Sequence, residues 1–219
     1  MTVRLVVGLS GASGVVYGVR LLEVLSEMPE VETHLIISAA ARQTLAHETD
    51  RKLGDVLALA DRTYSFRDIG AAPSSGSFRT AGMIICPCSM RTLSGVALSS
   101  DENLLIRAAG VALKERRRLV LVPRETPLHL GHLRLMVQAT EMGAIIAPPV
   151  PAFYSRPQSV EAIVDHTVHR ILDLFDLEPP GDINRWPPAE RAAPPAGRWR
   201  LDGGPGVNVA FDDETAVVR

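Results

Sequence analysis

The sequence predicts an α/β domain built on a doubly wound parallel sheet, and three observations carry that prediction. Short apolar runs recur along the chain with stretches of helical periodicity between them. The runs are rich in β-branched residues and too short for buried helices, which suits interior parallel strands. A glycine-rich loop, Gly8-Leu9-Ser10-Gly11-Ala12-Ser13-Gly14, joins the first run to the first amphipathic stretch. With 219 residues, 46% of them hydrophobic, the chain can fill one core and needs no second domain.

The periodicity places strands at residues 3–9, 32–38, 81–86, 119–122 and 144–147, and helices at 15–26, 39–49, 90–98, 103–116, 128–142 and 160–175. Residues 70–76, with Pro73 among serines and glycines, read as an exposed connection. After residue 177 the composition shifts to Pro, Gly, Ala and Arg. The expected organisation is therefore a domain at 1–177 and a tail at 178–219, a mobile segment or an arm lying on another subunit. In open sheets of this type ligands bind beyond the C-terminal strand ends, so the loops that matter open at Ser10, Ser38, Pro87 and Pro123.

A net charge of −2 carries no nucleic-acid or membrane footprint. The sequence has neither a span of transmembrane length nor the pattern of a signal peptide, so a cytoplasmic protein is expected. Cys86 and Cys88 flank one proline, too close for an ordinary disulfide and too few for structural zinc, and read as buried thiols at a strand end. His129 and His132, like His166 and His169, are spaced by three without a third ligand, so capping or surface roles are expected and no metal.

The first loop suits close approach of a nucleotide phosphate or an isoalloxazine ring, because Gly8, Gly11 and Gly14 lack a Cβ and a helix N-terminus follows. Its spacing is neither G-x-G-x-x-G nor a P-loop, and packing of a helix on a sheet is the alternative reading. Ile85-Cys86-Pro87-Cys88-Ser89-Met90-Arg91-Thr92 repeats the design, with Ser89 as a helix cap or a ligand contact. Arg107 and Lys114 are seven apart on one helical face, a pair suited to phosphate, while Arg116 to Arg118 read as a solvated helix end. Lys114 is one of only two lysines, the other being Lys52. Arg124 and Glu125 sit at a strand end between two prolines, as a phosphate fork with an orienting carboxylate or as a structural ion pair. Glu48, near the end of the second helix, is a candidate acid or base, and the proline-rich loop at 148–151 delivers Tyr154, with Arg170 downstream.

In this order the pieces resemble the flavin prenyltransferases of the UbiX type, formerly described as phenolic-acid or polyprenyl-hydroxybenzoate decarboxylases. The resemblance runs from Val3 to about Leu177 and rests on G-x-S-G-A-S-G, S-M-x-T-L, N-L-L-x-R-A, L-K-E-R-R, L-V-L-V-P-R-E and P-A-F-Y. It implies a flavodoxin-like Rossmann three-layer sandwich, a homododecamer, reduced FMN and dimethylallyl phosphate as substrates, and prenylated FMN passed to a UbiD-type decarboxylase. By position it implies FMN contacts at Gly11, Ala12, Ser13, Ser38, Ser89, Met90, Arg91, Thr92 and Arg124. Arg107, Lys114, Glu125, Tyr154 and Arg170 would surround the prenyl phosphate, some from neighbouring subunits. Ser13 would orient the N5 region, Glu48 would handle protons, and Tyr154 and Trp186 would line the allyl site. The sequence departs from the family at Arg91, where glycine or lysine is common, and at Gly110, where aspartate is frequent. Two other readings share the fold: a non-catalytic FMN-binding subunit of a hydroxyarylic acid decarboxylase, and a flavin-dependent cysteine decarboxylase. Against the latter stands Ser89-Met90-Arg91-Thr92 in place of an Asn-rich loop.

Overall fold

Hydrophobic periodicity converts into alternating strands and helices in the structure, a computed structural model that describes residues 2–181. The order is β1 (Val3–Leu9), α1 (Val15–Ser26), β2 (Val31–Ile37), α2 (Ala39–Glu48), α3 (Leu53–Leu57), β3 (Arg62–Tyr64), β4 (Gly82–Cys88), α4 (Met90–Ala97), α5 (Leu104–Lys114), β5 (Arg118–Pro123), α6 (Leu130–Glu141), β6 (Ala144–Ile146) and α7 (Val160–Asp173). Single turns of 3-10 helix lie at Ala72–Ser74 and Phe153–Ser155. All five expected strands and six expected helices are present, with ends displaced by a few residues. Two short elements, α3 and β3, fall where no element was expected. The tail at 182–219, including Trp186, lies outside the described residues.

All six strands are parallel, in the order β3-β2-β1-β4-β5-β6. Without the three-residue edge strand β3, the remaining five follow the flavodoxin-type order, which reverses direction between β1 and β4. That reversal leaves a crevice at their C-terminal ends.

Strand alternation divides the core between the two faces. Leu5, Val7, Leu9, Ile84, Cys86, Val120 and Val122 pack toward α1 and α7, while Val6, Met83, Ile85, Cys88, Leu119 and Leu121 pack toward α4 and α5. Cys86 and Cys88 fall on opposite faces despite their spacing, because the pairing of β4 with β5 shifts register between Ile85 and Cys88. Both thiols are free and buried; desolvation pushes Cys86 far above its usual range and Cys88 up to about 12. Gly8, read as part of the loop, instead lies within β1, where a Cβ would press on Met83 and Leu105.

Arg117 and Arg118 depart from the expected solvated helix end. Arg117 donates to the carbonyls of Phe78 and Gly76 at 2.7 and 2.6 Å, and Arg118 donates to the Leu174 carbonyl. They tie the N-terminal edge of the sheet to the loop before β4 and to the end of α7.

Candidate active site at the β1–β4 crevice

Ser10, the residue after β1, joins the two glycine- and hydroxyl-rich loops. It is 1% exposed; its Oγ donates to the Pro87 carbonyl at 3.0 Å and accepts from the Ser89 N–H at 2.7 Å. The loop after β1 and the loop after β4 are thereby held side by side over the crevice. Arg124 joins them from β5, its N–H donating to the Cys88 carbonyl at 3.3 Å and its side chain lying beside Gly14.

Three helices begin at this edge. Ser38 caps α2 by accepting from the Ala41 N–H at 3.0 Å, and Ser89 caps α4 by accepting from the Thr92 N–H at 3.2 Å. Each cap satisfies one first-turn donor, leaving others for an anion. The Ser89 hydroxyl also donates to Thr92 Oγ1 at 3.1 Å, so of its two readings the structure bears out the cap. Gly11 is required by close approach, since a Cβ there would stand 2.3 Å from the Ala40 side chain. Gly14 is required by conformation, for it opens α1 at φ 90°, in the left-handed region.

Glu48 closes the group. From the last turn of α2 its Oε2 accepts the N–H groups of Gly14 and Val15 at 2.8 and 3.0 Å, so a carboxylate from 33 residues away caps α1. Burial alone would raise its pKa; the Ser13 hydroxyl, the two backbone donors and the charge of Arg124 outweigh burial and hold the carboxyl below its ordinary range. Ser13 and Glu48 are therefore neighbours.

The remaining expected residues are not assembled within one chain. Lys114 ends α5 and pairs with Glu115, at the edge where β5 begins; Arg124 lies at the other end of that strand, about 17 Å away along a six-residue strand. Arg107, two turns before Lys114, donates to the Ser74 carbonyl at 3.3 Å and to Asp101 at 2.9 Å. Arg170 is on α7, in the opposite helical layer, paired with Asp173 at 2.5 Å. Glu125 folds back onto the Thr126 N–H at 3.0 Å and forms no ion pair with Arg124. Tyr154 is 43% exposed and meets His166 Nε2 at 3.2 Å, one turn before Arg170 on α7. His129 caps α6, accepting from the Gly131 N–H at 3.0 Å, and no metal-suited cluster of His, Cys, Asp and Glu occurs among the described residues.

His166 and His169, expected in capping or surface roles, are instead buried in the middle of α7, and sequence reasoning missed the contacts of three neighbours. Asp101 holds Arg107, His166 contacts Tyr154, and Tyr17, against Gly14, has its phenol raised by burial and by Cys86. Tyr17, in the first turn after the glycine loop, and His166, in its spacing with His169, had local signals; Asp101 had none.

A family model described as Flavoprotein matches residues 1–172. A protein named flavin prenyltransferase UbiX, from Escherichia coli strain K12, is 61% identical over 184 residues, covering 84% of this chain and 97% of its own length. The chain belongs to the UbiX flavin prenyltransferase family. Among solved UbiX structures, AnUbiX (PadA1) in complex with FMN and dimethylallyl pyrophosphate is 48% identical, with a TM-score of 0.84 over 87% of this chain and all of that one. A dodecameric FMN-dependent UbiX-like decarboxylase from Escherichia coli O157:H7 is 51% identical, with a TM-score of 0.80 over 81% of this chain and 97% of that one. In this UbiX-family chain, the glycine loop, Ser38, Ser89–Thr92 and Arg124 stand together at the crevice of the fold.

Proposed function

We propose that this chain transfers a dimethylallyl group from dimethylallyl phosphate to N5 and C6 of reduced FMN. The observation that carries the reading is the joining of the two loops and Arg124 over the β1–β4 crevice, in a chain 61% identical to a named flavin prenyltransferase. The donor set fits FMN: two capped helix N-termini, the hydroxyls of Ser38 and Thr92, and a guanidinium suit a phosphate monoester, while Gly11 and Ala12 let a flat ring approach the backbone. When bound, reduced FMN supplies the nucleophilic positions.

The chain supplies the rest. An allylic phosphate ionises readily once its leaving group is neutralised, and Arg107, Lys114 and Arg170 provide three cations for that purpose, with Glu125 and Tyr154 beside them. Their places on opposite helical layers make a site shared between subunits the natural arrangement, in keeping with a homododecamer. Ser13 orients the N5 region. Glu48 enters the reaction as a carboxylate, so it is suited to accepting the C6 proton rather than to donating one. Residues 1–177 form the catalytic domain and 178–219 a tail. The prenylated FMN serves a UbiD-type decarboxylase in the cytoplasm.

Anaerobic incubation with reduced FMN and dimethylallyl phosphate tests the proposal. The flavin recovered should be heavier by one five-carbon prenyl unit. FMN recovered unchanged, from protein that binds it, favours the non-catalytic carrier; oxidative decarboxylation of a cysteinyl substrate favours the other reading.

A further inference from the structure

Arg107 is constrained on one edge and open on the other. Its Nε reaches the Ser74 carbonyl at 3.3 Å and its Nη1 reaches Asp101 Oδ2 at 2.9 Å, while Nη2 has no hydrogen-bond partner among the described residues. Asp101 comes from outside the helix, on the short connection between α4 and α5. Two residues of that connection, Ser99 and Asp101, adopt left-handed backbone at φ 52° and 49°, a conformation uncommon for residues other than glycine. Opposite Asp101, α5 presents Gly110. A Cβ built there would lie 3.3 Å from Asp101 Oδ1, with no other described atom from beyond its own stretch of helix within 4 Å. The bare helix face thus makes room for the carboxylate.

We propose that Asp101 is a positioning residue for the prenyl-donor phosphate, holding Arg107 so that its free edge faces the donor. The proposal rests on the flavin prenyltransferase reading and deepens it. Two simpler roles make different predictions. A carboxylate beside a phosphate site repels the phosphate, so if charge were its only effect, Asp101→Ala would tighten donor binding. If Asp101 only favoured the N-terminus of α5, its loss would lower stability and leave the donor unaffected. Positioning alone predicts weaker donor binding in the variant, despite the removal of a negative charge.

The test begins with prenyl transfer by the unmodified protein; if FMN is never prenylated, the functional reading fails before Asp101 is examined. With that activity in hand, Asp101→Ala should raise KM for dimethylallyl phosphate by about three- to fivefold, the scale of a half-exposed ion pair, with FMN affinity and Tm nearly unchanged. Asp101→Ala/Gly110→Asp, which returns a carboxylate from the helix side into the vacated space, should bring KM back toward the original value. An unchanged or lowered KM in the single variant overturns the proposal. So does a raised KM that tracks a loss of FMN affinity or Tm, or one that the second substitution fails to recover.

Discussion

Glu48 occupies a position that the fold reserves for an anion, the N-terminus of α1 behind a glycine-rich turn. Its ionised form is the one the structure stabilises. A carboxyl whose folded pKa lies below its unfolded value contributes stability above the unfolded pKa, near 4.5, and loses it as pH falls through the lower folded value. Glu48→Gln should therefore lower stability at pH 7 by about 1 kcal/mol, a figure discounted for the exposure of the side chain. The gap between variant and parent should close as the pH falls below the unfolded value and through the lower folded one. Urea unfolding at pH 7 and pH 3 measures both ends, and a gap of equal size at the two would mean that charge is not what Glu48 contributes. Because Ser13 binds the same carboxylate, the variant should also slow prenyl transfer more than it weakens FMN binding.

Among the elements, β1, β4 and their following helices carry most of the site, and these were also the most legible in the sequence. β1 from Leu5 onward and the whole of β4 are buried apolar runs, and α1, α4 and α5 begin right after glycine, serine or asparagine. The edge strand β3 escaped notice for a physical reason: its three residues, Arg62–Tyr64, are partly or fully exposed and bury no apolar stripe. The links between elements were hidden for another reason. Ser10 to Ser89 spans 79 residues, and Glu48 to Gly14 spans 34, so neither leaves a local pattern. Ser10 was legible as a loop hydroxyl but not as the joint between two elements. Its removal should be felt in both: Ser10→Ala leaves the Ser89 N–H without its acceptor and should destabilise the fold by about 1–3 kcal/mol. FMN affinity should fall with it. Denaturant unfolding and flavin titration on the same variant provide the check, and full FMN affinity at reduced stability would show that the crevice does not depend on this joint.

At the scale of the whole molecule, one helix is finished on the wrong side for a monomer. In α6 only Ala139 is buried, while Leu130, Leu133 and Val137, at positions i, i+3 and i+7, are 60%, 45% and 57% exposed. If α6 lies in the subunit contacts of the proposed homododecamer, Leu133→Glu/Val137→Glu should leave the monomer folded and break that assembly, as read by analytical ultracentrifugation; an unchanged particle mass would place the contact elsewhere.

The assembly matters because the two halves of the proposed site lie at opposite ends of β5, with Arg124 at one end and Lys114 before the other. In the site proposed above, Arg124 of one subunit and Lys114 of its neighbour meet the substrate through a head-to-tail contact. Arg124→Ala and Lys114→Ala should each be nearly inactive alone. Co-expressed in equal amounts, they should recover about one quarter of the parent activity, because a shared site is intact only when an Arg124-bearing chain meets a Lys114-bearing neighbour. If both residues served one site within one chain, no mixture would contain an intact site. Activity of the mixed assemblies, measured after purification through two different tags, separates these cases, and mixtures as inactive as their parents would remove Lys114 from the shared site.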